Sequence, residues 1–164
     1  MSLASLLSAD FRVERSALVA AAPETVFSRL EDLRAWRDWS PWEKQDPGMT
    51  RTYGGAARGA GAVYEWDGNK EVGAGRMEVV EAAAPRRVVL ALDFRRPFEG
   101  HDRVEFVLAP EGGGTRVTWT MTGRKHPVMR VMGLVFDVDG MIGRQFEAGL
   151  ASLKALVEGR RRYS

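Results

Sequence analysis

VFDVDGMIGRQFEAGLASLKALVE, residues 135–158, is the stretch whose spacing decides the fold. Apolar residues recur at Val135, Val138, Ile142, Phe146, Gly149, Leu153 and Leu156. Steps of three and four place them on one side of a helix with ~3.6 residues per turn. Arg144, Glu147, Ala151, Lys154, Ala155 and Glu158 fall on the other side. Such a helix must lay one face on an apolar surface. Pro127 can open it, because the first turn does not need that N–H. Run from Pro127 to Glu158, it would span roughly 45 Å at ~1.5 Å per residue and cross a whole small domain.

The surface it crosses is written upstream. Between Met49 and Arg124, glycine and proline break the chain into short runs at Ala62–Trp66, Val72–Glu81, Arg87–Phe94, Gly100–Ala109 and Thr115–Gly123. These are rich in Val, Thr and aromatics and read as strands. Asp67-Gly68 and Gly112-Gly113-Gly114 read as hairpin turns, so the strands form an antiparallel meander. In the last run Val117, Trp119 and Met121 alternate with Arg116, Thr118, Thr120 and Thr122, as in a sheet covered on one side. A one-sided sheet needs a cover and the long helix needs a surface. The expected fold class is therefore α+β, with five or six such strands after a first one at Phe11–Ala20.

Between the first strand and the meander, Ala22-Pro23-Glu24-Thr25 reads as a helix start, with Val26, Phe27, Leu30 and Leu33 on its apolar face. Trp36, Trp39 and Trp42 follow at steps of three, and Pro41 stops a helix from running through. These rings are either a plug at one end of the core or an aromatic wall on a ligand site, and the two are compatible.

With 164 residues, 45% hydrophobic and 28% charged, the chain reads as one ordinary domain. A net charge of +2 implies no nucleic-acid footprint. The absence of cysteine removes disulfides, thiolate catalysis and cysteine metal sites. No apolar run reaches the ~18 residues of a membrane span, and the apolar start lacks the basic residues of a signal peptide. The expected division is a flexible leader at 1–10, one domain at 11–158 and a basic tail at 159–164, in a cytoplasmic protein.

No phosphate loop, zinc-ligand pattern or nucleophile elbow appears, so neither cofactor nor metal is expected. His101 has the opposite parity to Val104, Phe106 and Leu108 and should face away from the apolar side; His126 lies in the loop before the long helix. Glu65, between Tyr64 and Trp66, should point opposite to both as a surface acid. The inverse assignment would bury it with a raised pKa. Lys44 and Asn69 read as loop residues near a cavity mouth. The strongest candidates are apolar: Tyr64, Trp66, Met77, Phe106, Trp119 and Met121 on inward strand positions, Val138 and Ile142 facing them from the helix, and Trp39 and Trp42 beside them. By itself this stripe reads as an ordinary filled core, as most such stripes are.

Trp39-Ser40-Pro41-Trp42-Glu43-Lys44 with Asp46-Pro47, then Thr52-Tyr53-Gly54-Gly55, then Gly59 to Asn69, resembles the SRPBCC or START-like superfamily. Within it the sequence is most similar to the bacterial branch called polyketide cyclase/dehydrase or lipid-transport-like. Val72-Gly73-Ala74-Gly75-Arg76-Met77 and the terminal amphipathic helix match as well, so the similarity spans about Phe11 to Glu158. It implies a helix-grip fold, a curved antiparallel sheet wrapped around a long C-terminal helix, with two short helices after the first strand and an elongated apolar cavity. It also implies binding, transport or sequestration of a small hydrophobic ligand such as a lipid or polyketide. One alternative is a cyclase or dehydratase-type enzyme on a polyketide or aromatic substrate. Another is a protein-interaction module using the apolar start of the long helix. That start, Met129 to Met141, is apolar nearly all round and the helix there carries Gly133, Gly140 and Gly143, which reads as a mobile gate or a homodimer contact. On this reading Gly140→Ala stiffens the helix.

Overall fold

In the computed structural model, which describes residues 10–125, 127, 131 and 137–159, the alternating runs pair into one sheet. Its strands are β1 (Asp10–Val19), β2 (Thr50–Gly55), β3 (Ala62–Asp67), β4 (Ala74–Ala83), β5 (Arg87–Arg96), β6 (Gly100–Glu111) and β7 (Gly114–Arg124). All seven pair antiparallel in the order β1-β7-β6-β5-β4-β3-β2. The sheet is thus a meander from β2 to β7, with the first strand added at the β7 edge. A register shift between Val79 and Glu81 leaves Val80 bulged and exposed, the kind of irregularity that bends a strand. Gly112 and Gly113, both at positive φ, make the tight β6–β7 turn.

Three features differ from the sequence expectation. First, the sixth strand of the meander is β2, an edge strand outside the five runs read as strands. Its Thr-Arg-Thr-Tyr-Gly-Gly sequence carries too few apolar residues to announce itself, because only Arg51 and Tyr53 turn inward. Second, Asp67-Gly68 does not form a two-residue turn. The β3–β4 connection runs to Gly73 and is tied by Asn69, whose side-chain oxygen accepts from the backbone N–H of Glu71 and Val72 at 2.9 and 3.2 Å. Third, the terminal helix begins not at Pro127 but at Val138. Asp137 has non-helical backbone angles, and its carboxylate accepts from the Gly140 N–H at 3.0 Å, so it caps the helix. The helix α3 (Val138–Val157) has 20 residues, about 30 Å. A methyl group on Gly140 would meet the Asp137 carboxylate at 2.1 Å, so alanine there disturbs the cap rather than stiffening the helix. The leader at 1–9, the tail at 160–164, His126 and most of the proposed gate lie outside the described residues.

Two short helices, α1 (Pro23–Leu30) and α2 (Trp42–Gln45), flank a 3-10 helix at Leu33–Asp38. The tryptophan steps of three bring three rings onto Trp119 of β7. Trp36, Trp39 and Trp42 lie 6.4, 5.5 and 6.0 Å from it, centre to centre. Phe106 closes one side at 5.0 Å, and Phe146 of α3 stacks on Trp119 at 4.0 Å and 6°. The tryptophans are therefore a plug. Trp36 and Trp39 donate their ring N–H to the carbonyls of Leu30 and Arg29, which seats α1 on the same cluster.

Gly149 lets the helix approach this cluster. A methyl there would sit 2.9 Å from the Trp119 ring and 3.0 Å from Pro41. Gly149→Ala should therefore lower the urea midpoint, even though alanine is favoured in a helix interior by ~1 kcal/mol. A raised midpoint would count against this packing.

Candidate functional site

The register sorts the inward side chains into rows across the sheet. One row takes a residue from every strand: Phe11, Gly123, Asp102, Leu92, Met77, Tyr64 and Tyr53. The next runs Val13, Met121, Val104, Leu90 and Val79. A third runs Arg15, Trp119, Phe106 and Val88. The third row lies under the aromatic plug, where Trp119, Phe106 and Val88 are at most 2% exposed. Moving away from the plug, solvent reaches in. Met121, Leu92 and Met77 are each 8% exposed and Trp66 is 9%, while Phe11, Asp102, Tyr53 and Phe94 are half-buried.

Helix α3 runs alongside β1. Glu147 accepts from Arg15 Nε at 2.8 Å, Lys154 Nζ donates to the Leu18 carbonyl at 2.9 Å, and Glu158 accepts from the Ala20 N–H at 2.8 Å. Helix and strand numbers rise together, so Val138 and Ile142, both half-buried, fall toward the Phe11 and Val13 end. Leu150, which the sequence pattern did not single out, is fully buried with Phe146 and Leu153.

At the β2–β3 end of the face stands a polar bar. Arg51 Nε donates to Glu43 Oε1 at 2.7 Å, and Tyr64 Oη donates to Glu43 Oε2 at 2.9 Å. The Glu43 and Arg51 side chains are only 10% and 11% exposed. Arg51 also donates to the carbonyls of Pro47 and Met49. Burial and the bond to Glu43 push the Tyr64 phenol far above its ordinary value. Burial, then the Glu43 charge, raises Tyr53, whose hydroxyl is buried without a partner. Lys44 belongs to an open cleft of about 250 Å³ that Glu43 and Arg51 of this bar also line, with Arg37 and Pro47.

Asp102 is the carboxyl group of the first row. Parity explains it: the alternation that turns His101 outward, where it pairs with Asp93 at 2.7 Å, turns Asp102 inward with Val104, Phe106 and Leu108. Burial pushes its carboxyl up to about 6, with the His101 charge pulling it back and the Asp93 charge adding to the rise. A carboxyl with a folded pKa above its unfolded value binds more protons in the native state between the two. Stability then falls as pH rises from about 4 to about 6, and the penalty is fully present above that. Asp102→Asn removes the penalty. At pH 7.5 the variant should be the more stable by on the order of 1–2 kcal/mol, allowing for solvent that reaches the carboxylate. The gap should close toward pH 4; a gap independent of pH would contradict the assignment.

The sequence-predicted residues thus separate into two groups. Trp39, Trp42, Phe106 and Trp119 belong to the aromatic plug, while Tyr64, Trp66, Met77 and Met121 lie buried on the concave face beyond it, with Val138 and Ile142 half-buried on the helix. Glu65 faces outward toward Arg76. Asp102 was legible, because the parity applied to His101 extends one residue further. The Glu43–Arg51–Tyr64 bar had no sequence signal, since its members meet only across separate elements. Among the described residues no group of His, Asp and Glu side chains could hold a metal ion, and no helix is long and apolar enough to cross a membrane.

A family model described as polyketide cyclase/dehydrase and lipid transport matches residues 10–158. The chain belongs to this family. The polyketide cyclase/dehydrase fold recurs in solved structures at low identity. The Aha1 dimer from Colwellia psychrerythraea is 18% identical with a TM-score of 0.64, over 91% of this chain and 97% of that one. A protein from Rhizobium leguminosarum is 14% identical at 0.68, over 92% and 96%. DynU16, from the dynemicin biosynthetic locus, is 16% identical at 0.62, over 90% of this chain and 47% of its own. No curated protein matches the chain.

Proposed function

We propose that this polyketide cyclase/dehydrase family member binds a small hydrophobic ligand, a lipid or polyketide-like molecule, on the open part of its concave face. The observation that carries this is the gradient of solvent contact. Trp119 and Phe106 are sealed, Met121, Leu92, Met77 and Tyr64 keep only a slight exposure of 6–8%, and Phe11, Tyr53 and Phe94 at the far end are half-buried, although all of these are large apolar or aromatic groups. Apolar side chains that solvent still reaches inside a curved sheet are a seat for an apolar guest. Methionine, unbranched and polarisable, adapts to guests of different shape.

Titration with N-phenyl-1-naphthylamine tests the reading, with native mass spectrometry to show any co-purified lipid. The dye should bind saturably. Met77→Trp, which fills the open row, should weaken it about tenfold, equivalent to ~1.4 kcal/mol, without a comparable loss of thermal stability. Absence of dye uptake by the wild-type protein would defeat the proposal.

A second reading is a cyclase or dehydratase acting on a polyketide or aromatic substrate. Asp102 favours it, because such chemistry needs an inward ionisable group beside the aromatic side chains. Turnover of an aromatic polyketide by the wild-type protein, abolished in Asp102→Asn, would support this reading over simple carriage.

A further inference from the structure

We infer that Asp102 is the polar anchor of the open face, and that it selects amphiphiles ending in a hydrogen-bond donor, an amine or alcohol, over those ending in a carboxylate. This rests on the proposed apolar binding and adds the chemistry of the ligand's polar end.

Three observations converge on Asp102. The register seats it in the middle of the open row, between Gly123 on β7 and Leu92 on β5, with Met77 and Tyr64 beyond. Its carboxylate occupies a notch that exists because residue 123 is glycine. A methyl at Gly123 would lie 2.0 Å from Asp102 Oδ1 and 3.2 Å from the Phe11 ring. The Asp102 carboxylate makes no hydrogen bond or ion pair among the described residues, while its outward neighbour His101 is paired with Asp93. A half-buried carboxylate with spare acceptor sites among Leu92, Met77 and Phe11 is short of donors.

A ligand donor would supply that deficit. An ammonium or hydroxyl group placed against Asp102 makes a charge-assisted hydrogen bond in a setting poorly screened by water. A ligand carboxylate would instead meet a like charge, since Asp102 titrates at about 6 and is ionised at pH 7.5. His101, Arg103 and Asp93, the charges nearest in chain and register, all lie on the convex face, where His101 and Asp93 pair with each other. They leave the inner carboxylate as the discriminating charge of the row.

Displacement of N-phenyl-1-naphthylamine by decylamine, decanol and decanoate at pH 7.5 tests this with matched chains. Wild-type protein should prefer decylamine over decanoate by about tenfold or more, with decanol between them. Asp102→Asn should bring the three within about twofold. Asp93→Asn, which removes a carboxylate of equal charge from the convex face, should keep the wild-type order. An unchanged order in Asp102→Asn overturns the inference, and so does an equal loss in Asp93→Asn, which would show a general charge effect. Equal displacement by all three ligands in wild-type protein would defeat the anchor while leaving apolar binding intact. Failure of the dye itself to bind would remove the underlying reading, and the anchor with it.

Discussion

Phe146→Ala should lower the stability of the protein by ~3–5 kcal/mol, because it opens a cavity where the packing is tightest. Phe146 is 1% exposed and stacks on Trp119, which Trp36, Trp39, Trp42 and Phe106 surround in turn. Six rings from the 3-10 helix, its flanks, two strands and α3 share one contact point. The cluster cannot collapse onto the void without moving several elements at once, which is the condition for the upper part of the range. For a chain of this length the thermal midpoint should fall by about 10 °C. Trp119 shares the same cluster, so shortening it should register as lost stability more than as altered ligand affinity. A Phe146→Ala variant with a near-wild-type midpoint would mean that α3 does not seal this end of the sheet.

Glu43→Ala should cost about 3 kcal/mol by a different route. The bridge between Glu43 and Arg51 is almost wholly removed from solvent, with both side chains near one-tenth exposed. Removing the carboxylate leaves the Arg51 guanidinium buried with only the Pro47 and Met49 carbonyls, and takes the acceptor from the Tyr64 hydroxyl. An uncompensated buried charge, rather than the lost attraction itself, dominates that cost. The double substitution Glu43→Leu with Arg51→Met should therefore recover most of the loss. Urea unfolding of the two single variants and the double variant checks this. If the double variant is as unstable as the sum of the singles, the bridge is not a closed unit. Tyr64 lies on the concave face of the sheet, so the loss of Glu43 should also loosen the β3 end of that face.

The local patterns of the chain were sufficient for much of the architecture. Alternation in the strands is a property of neighbouring residues, so the inward parity of Tyr64, Trp66, Phe106, Trp119 and Met121 could be read directly. The same holds for the helical stripe of Phe146, Gly149 and Leu153, and for Asp102 once parity is carried past His101. Periodicity states which face a side chain occupies, and it says nothing of how far along that face the side chain lies or what stands opposite. Those depend on register, on the bulge at Val80 and on where the Asp137 cap starts α3, all set by contacts between distant segments. Only the tertiary structure could therefore separate Trp119, sealed beneath three other tryptophans, from Phe11, which shares the concave face and is left half-buried. Only it could bring Glu43 from a four-residue helix onto Arg51 of an edge strand and Tyr64 of the next. And only strand pairing could set Gly123 against Asp102, because the space a glycine leaves has meaning only when the residue across from it is known.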